Sequence, residues 1–247
     1  LTADTARFTE DRLLGGRVVL RQPVDGFRAA IDPVLLAASI NAQAGETVLE
    51  LGCGSGAAAL CLARRVDGVT VIGLDAQADL VALAAGNARL NKLHDRAGFF
   101  AADIGAPALA EGRFDHVMAN PPYLVARDAT LPPDPARAAA VAEGAADLAL
   151  WLKTAAHLVR PKGSVTIIHR ADRLDAIFAA APKALGSPVL LPLWPGIGKP
   201  AKRVIVSWRR QGRAPFRLLA GLILHEADGG FTPAAERILR AGADWDR

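Results

Sequence analysis

The 247-residue chain has little that would staple it together or anchor it from outside. Cysteine is limited to Cys53 and Cys61, with no CxxC pair, which argues against a disulfide framework and a cysteine-based zinc site. The five histidines are dispersed without metal-ligand spacing, so no metal is expected. Aromatic residues make up only 5% of the chain, leaving alanine, leucine and valine to carry the core. No apolar run approaches the roughly 18 residues that a bilayer span requires. No signal-peptide pattern opens the sequence, and Leu1 in place of methionine points to residues that precede it. These absences set the expectation of a globular protein in a reducing cytoplasm, away from any membrane. Internal repeats and low-complexity linkers are lacking too. The reading is one domain, with an N-terminal extension over 1–45, a core over 46–210 and a C-terminal tail over 211–247.

What is present is an alternation of short β-branched runs with alanine- and leucine-rich stretches. That is the pattern of an α/β fold, a Rossmann-like, doubly wound and mostly parallel sheet with helices on both faces. Seven core strands are predicted, at 47–51, 69–75, 98–103, 114–120, 164–169, 188–194 and 203–208. Helices fall near 57–66, 77–91, 143–159 and 172–181. Outside this core, "RVVLRQP" (17–23) reads as a strand. "DPVLLAASI" (32–40) reads as a helix with Asp32 as N-cap and Pro33 at its first position, and Thr232 and Pro233 repeat that logic. Trp151, Trp194 and Trp208 fall within predicted elements and are assigned to packing. Charge is uneven: residues 1–150 hold 13 Lys/Arg against 18 Asp/Glu, and residues 151–247 hold 16 against 7. A basic C-terminal half can steer a polyanion such as RNA, or form an ordinary solvated surface.

After the first core strand comes "ELGCGSGAA", with glycines at 52, 54 and 56. Glycines here let the backbone turn tightly and approach a ligand at the N-terminus of the next helix. Gly52, Gly54 and Ala57 also satisfy the dinucleotide fingerprint, and Asp75 lies at the distance expected of a ribose-binding acid. Charge separates the two cofactors. A Glu50 carboxylate beside the loop would repel a pyrophosphate, whereas it attracts the sulfonium and ammonium of S-adenosylmethionine. Asp75 would then accept from the ribose hydroxyls, and Asp103, ending the third strand, would contact the adenine.

The fourth strand ends in "MANPPY" (118–123). Asn120 sits where open α/β sheets bind ligands, and its amide offers one acceptor and two donors. The prolines stiffen the exit and leave the Pro121 carbonyl without a competing local donor. Two acceptors, the Asn120 oxygen and the Pro121 carbonyl, match the two hydrogens of a planar NH₂ group, and Tyr123 supplies a stacking face. Acceptors placed for a tetrahedral nitrogen favour attack and stabilise the developing positive charge.

"ELGCGSG", Asp75, Asp103 and "NPPY" together resemble the class I S-adenosylmethionine-dependent methyltransferases that act on planar amino nitrogens, over roughly residues 45–210. "DRLLGGRVVLRQPVDGFRAAIDPVLLAA" (11–38) and "LILHEADGGFTPAAERIL" (222–239) resemble the ends of the bacterial tRNA adenine-N6 methyltransferases that modify the base beside the valine tRNA anticodon. That resemblance implies N6 of an adenine in tRNA as acceptor and places Phe27 and Asp32 near the cofactor. Release-factor glutamine methyltransferases share the NPPY logic but carry a helical domain ahead of the core. Guanine-N2 methylation of rRNA, an O-methyltransferase using His169 as base, and a non-catalytic cofactor-binding module are further alternatives. His116, within the fourth strand, is expected to pack or be solvated. For RNA, the proline-rich loop 124–136 with Arg127 reads as a lid over a flipped base. Lys199, Lys202 and Arg203 in "GKPAKR" would hold phosphates, or form a solvated basic turn.

Overall fold

The computed structural model describes residues 8–24, 28–122, 124–125, 142–143 and 147–245. An antiparallel hairpin opens the chain, β1 (Phe8–Leu13) and β2 (Val18–Pro23), joined through a 3₁₀ turn at Leu14–Gly16. Helix α1 (Asp32–Ser39) leads into the alternating core. There β3 (Thr47–Leu51), α2 (Ala57–Arg65), β4 (Thr70–Asp75), α3 (Ala78–Leu90), β5 (Ala97–Ala101) and β6 (Phe114–Ala119) follow one another. The short strands β7 (Leu124–Val125) and β8 (Ala142–Glu143) pair in parallel with each other. Next come α4 (Leu148–Leu158), β9 (Val159–Arg170), α5 (Leu174–Ala180), β10 (Leu185–Gly196) and β11 (Arg203–Arg210). The chain closes with β12 (Arg217–Leu218), β13 (Leu222–His225) and α6 (Pro233–Leu239).

The main sheet runs β10-β11-β9-β6-β3-β4-β5, with β3, β4, β5, β6 and β9 parallel and β11 antiparallel between β9 and β10. These are the seven strands the alternation predicts. Among the described residues the sheet has nine, because β12 and β13 both add in parallel to the outer edge of β10. Two- and four-residue strands carry too little periodicity to be seen in advance.

Period-two alternation sends successive residues of the central strands to opposite faces. On β3, Val48 joins one apolar cluster with α1, α2 and α6, while Leu49 and Leu51 join the other with α4 and α5. Helices therefore cover both faces, as a buried parallel sheet requires. The last segment folds back onto the beginning of the chain. Leu14, Val18 and Leu20 share a cluster with Ala235, Ile238 and Leu239, Arg65 pairs with Asp244, and Trp245 donates to the Leu35 carbonyl at 3.3 Å.

Two local expectations change and a third holds. The cap of α1 is Ile31 and not Asp32; Asp32 lies inside the first turn, where its carboxylate takes a 3.1 Å contact from Arg203. The helix expected over 143–159 starts at Leu148, because the Asp147 side chain accepts from the Leu150 N–H at 2.8 Å and caps it there. Thr232 caps α6 through the Ala235 N–H, as its Thr-Pro sequence predicts.

Candidate active site

The parallel strands deliver their polar ends to one edge of the sheet. Glu50 is the one charged residue of β3, and it is buried. Its Oε2 accepts the Ala59 N–H at 2.8 Å, so the side chain caps α2 from below and satisfies one of the unpaired donors of the helix's first turn. Burial, with Asp75 adding to it, pushes the carboxyl up to about 8, against the pull of the Ala59 N–H. At neutral pH Glu50 is then mostly protonated. In this structure the Glu50 side chain has a structural task as well, holding the first turn of α2 behind the glycine loop.

The glycine loop itself is shaped by tertiary contacts. Gly52 has φ +66°, and a Cβ there would lie 2.5 Å from the Trp151 ring. Trp151, which the sequence assigns to general packing, is thus the wall that forces glycine at this position. Its indole Nε1 is buried and has no hydrogen-bond partner among the described residues. Gly54 has φ +51° and open space where its Cβ would go, so bare backbone faces outward at the start of α2. Its N–H donates to Asp75 Oδ2 at 2.9 Å, and Asp75 Oδ1 accepts from Gln77 N–H at 2.9 Å. A carboxylate has about four acceptor directions, so Asp75 retains capacity for hydroxyl donors. Asp103 lies two residues past β5, exposed, with Oδ1 accepting the Gly105 N–H at 2.7 Å in a local turn.

Asn87 in the last turn of α3 and Asn91 at its C-cap, four residues on, tie the opening hairpin to this loop. Asn87 takes the Arg21 N–H at 2.9 Å and donates to the Arg21 carbonyl at 2.9 Å and to the Ser55 carbonyl at 3.0 Å. Asn91 does the same for Val19, at 2.8 and 2.7 Å. The two amides act as a side-chain ladder along β2, and through Ser55 the ladder reaches the glycine loop. The sequence reading missed both, although asparagines spaced i, i+4 in an alanine-rich helix are a visible irregularity.

Asn120 follows β6 directly, half-buried, beside the strand that carries Glu50. Pro121 is buried, and the Pro122 carbonyl lies 3.3 Å from Nε2 of His169, at the end of β9. Burial first among causes pulls His169 down to about 4, so it is neutral at pH 7 and faces a carbonyl, an environment unsuited to a general base. His116 is also buried, bonded to Ser164 at 2.7 Å and Glu46 at 3.0 Å, and its proton affinity is lowered chiefly by burial. Phe27, Tyr123 and Arg127, with most of loop 124–136, lie outside the described residues. Lys199 and Lys202 occupy the β10–β11 turn on the same sheet edge as Asn120. Arg203 is engaged with Asp32 and the Lys202 carbonyl, which gives it a structural task. Trp208 packs edge-on against Phe178 in the core, whereas Trp194 is only half-buried, a correction to its assignment. Among the described residues, no group of three or more His, Cys, Asp or Glu side chains is placed to hold a metal, and both cysteines are buried and unbridged.

The methyltransferase small domain family matches residues 31–172, the stretch that contains both the glycine loop and Asn120. The chain belongs to that family. This methyltransferase is 30% identical over 224 residues to a tRNA1(Val) (adenine(37)-N6)-methyltransferase from Porphyromonas gingivalis, covering 85% of this chain and 86% of the relative. It is 32% identical to a release factor glutamine methyltransferase from Pasteurella multocida, over 53% of this chain and 49% of that one. A solved structure of a predicted O-methyltransferase from Agrobacterium tumefaciens superposes with a TM-score of 0.74 at 23% identity, covering 87% and 99% of the two chains, and shows the shared fold. S-adenosylmethionine is the cofactor of this methyltransferase, and the open backbone at Gly54 beside Asp75 fits an adenosyl group. No helix among the described residues is long and apolar enough to cross a membrane.

Proposed function

We propose that this chain, acting as one unit in the cytoplasm, methylates a planar exocyclic amino nitrogen, N6 of an adenine in tRNA. The observation that carries the reading is the Asn120-Pro121 terminus of β6, set one strand from the glycine loop on the same sheet edge. The likeness to the Porphyromonas gingivalis enzyme over most of both chains supports tRNA as the acceptor.

In this reading the Gly52 and Gly54 backbone receives the cofactor, Asp75 takes the ribose hydroxyls, Asp103 the adenine, and Phe27 closes over the site. When bound, S-adenosylmethionine supplies an electrophilic methyl group. Glu50 holds α2 and the loop in place, and its carboxyl group would stand toward the cofactor's positive charge. Asn120 Oδ1 and the Pro121 carbonyl accept the two hydrogens of the acceptor NH₂. They orient its lone pair and stabilise the positive charge that grows on nitrogen, without a strong base. Tyr123 stacks on the base and Arg127 belongs to the lid over it, while Lys199 and Lys202 hold phosphates; Arg203 buttresses that turn through Asp32.

The second reading, methylation of a protein glutamine, has the Pasteurella multocida relative behind it. Incubation with unmodified RNA pools and with release factors, followed by mass spectrometry, separates the two. N6-methyladenosine in tRNA supports the proposal; methylglutamine with unmodified RNA overturns it.

A further inference from the structure

A cleft of about 660 Å³ opens between the end of β10, the turn at 197–202 and β13. Trp194, Ile197, Pro200 and Ile223 line it, and Lys199 is the charged residue among its walls. Ile197 is 77% exposed, more than any other large apolar residue described, and Ile223 is 36% exposed. Singly, such residues need no explanation; here they converge on one concavity. Trp194 does not need a ligand to hold its ring, because its N–H donates to the Ala220 carbonyl at 3.1 Å. The indole is therefore a fixed wall.

The position of the cleft gives it meaning. β10 runs antiparallel to β11, β11 antiparallel to β9, and β9 parallel to β6, so the end of β10 and Asn120 share one edge of the sheet. They are three strand spacings apart, about 14 Å at ~4.8 Å per step. A fixed aromatic, aliphatic walls and a rim cation suit a base with its phosphate, the combination by which single-stranded nucleic acid is held. Resting on the RNA assignment above, we infer that this cleft takes an unpaired base neighbouring the target nucleotide, with the adjoining phosphate on Lys199 and Lys202.

The test is steady-state methyl transfer to the anticodon stem-loop of a valine tRNA by the wild type, Ile197→Asp and Lys199→Ala. A parallel set of stem-loops carries an abasic nucleotide at each position flanking the target adenine. Ile197→Asp, on an exposed turn, should raise KM for RNA about tenfold, the size of one base–aromatic contact, with kcat and cofactor affinity retained. Lys199→Ala should lower the salt slope of binding by about one. One abasic position should cost the wild type the same tenfold and cost Ile197→Asp nothing more. Unchanged KM in Ile197→Asp, or equal abasic penalties in both proteins, overturns the cleft and leaves the RNA reading standing. A wild type that methylates a release factor and no RNA overturns both, and a protein KM raised by Ile197→Asp would give the cleft to a protein partner.

Discussion

Replacing Asn87 by alanine should both loosen the opening hairpin and weaken cofactor binding, and Asn91→Ala separates the two effects. Asn87 is fully buried and makes three hydrogen bonds to backbone, two to Arg21 and one to Ser55. At about 1 kcal/mol net for each, the loss comes to about 3 kcal/mol, and more if a stripped carbonyl stays dry. Asn91 also makes three, two to Val19 and one, at 2.7 Å, to the Asn87 carbonyl within its own helix. Both variants should therefore lose similar stability in urea denaturation. Only Asn87→Ala releases the Ser55 carbonyl of the glycine loop. If the share of that one bond, about 1 kcal/mol, is felt in the bound state, cofactor affinity falls about fivefold, and Asn91→Ala leaves it near wild type. Calorimetric titration with S-adenosylmethionine and S-adenosylhomocysteine reads this directly. Equal affinity losses in the two variants would refute the tether, as would a stable Asn87→Ala protein.

Three further outcomes follow from the site. Asn120→Ala should lower single-turnover methyl transfer by about 10²- to 10³-fold while cofactor affinity holds; retained transfer would remove the amide from the mechanism. Glu50 gives a pH signature. Its folded value of about 8 stands above the unfolded 4.5, so the folded state keeps a proton that the unfolded chain has released. Stability should therefore fall as pH climbs from 4.5 to 8 and level off above, by up to about 5 kcal/mol at 1.36 kcal/mol per unit. Glu50→Gln should flatten that slope in denaturation curves taken at pH 5 and pH 8, and a wild-type curve already flat over this window would contradict it. Gly52→Ala should cost about 1–3 kcal/mol, since its Cβ meets the Trp151 ring at a positive φ. Replacing the ring in a Gly52→Ala/Trp151→Leu pair should recover part of that loss in urea denaturation, and a pair no more stable than the sum of the two single variants would refute the clash.

The order of the core elements was legible because hydrophobic periodicity and turn residues are local signals. The strands at 47–51 and 203–208, the Thr232 cap, and the placement of Gly52, Asp75 and Asn120 at strand ends all came from windows of a few residues, whereas Asp103, expected to end its strand, lies two residues beyond it. Glu50 shows where that reach stops. Its residue type and position were visible, but its protonation state depends on being sealed beneath α2, and burial is a property of the assembled fold.

The sequence alone therefore determined an α/β alternation with a glycine loop and a strand-ending Asn-Pro-Pro, because these are short-range patterns. The tertiary structure decided which groups meet across long separations. Trp151 sets the size of residue 52 from 99 positions away. Asn87 joins Arg21 to Ser55 across 66 and 32 positions, and Arg203 is drawn to Asp32 across 171. Such pairings arise only when packing removes water and brings distant backbone within hydrogen-bond range, and no local period encodes them.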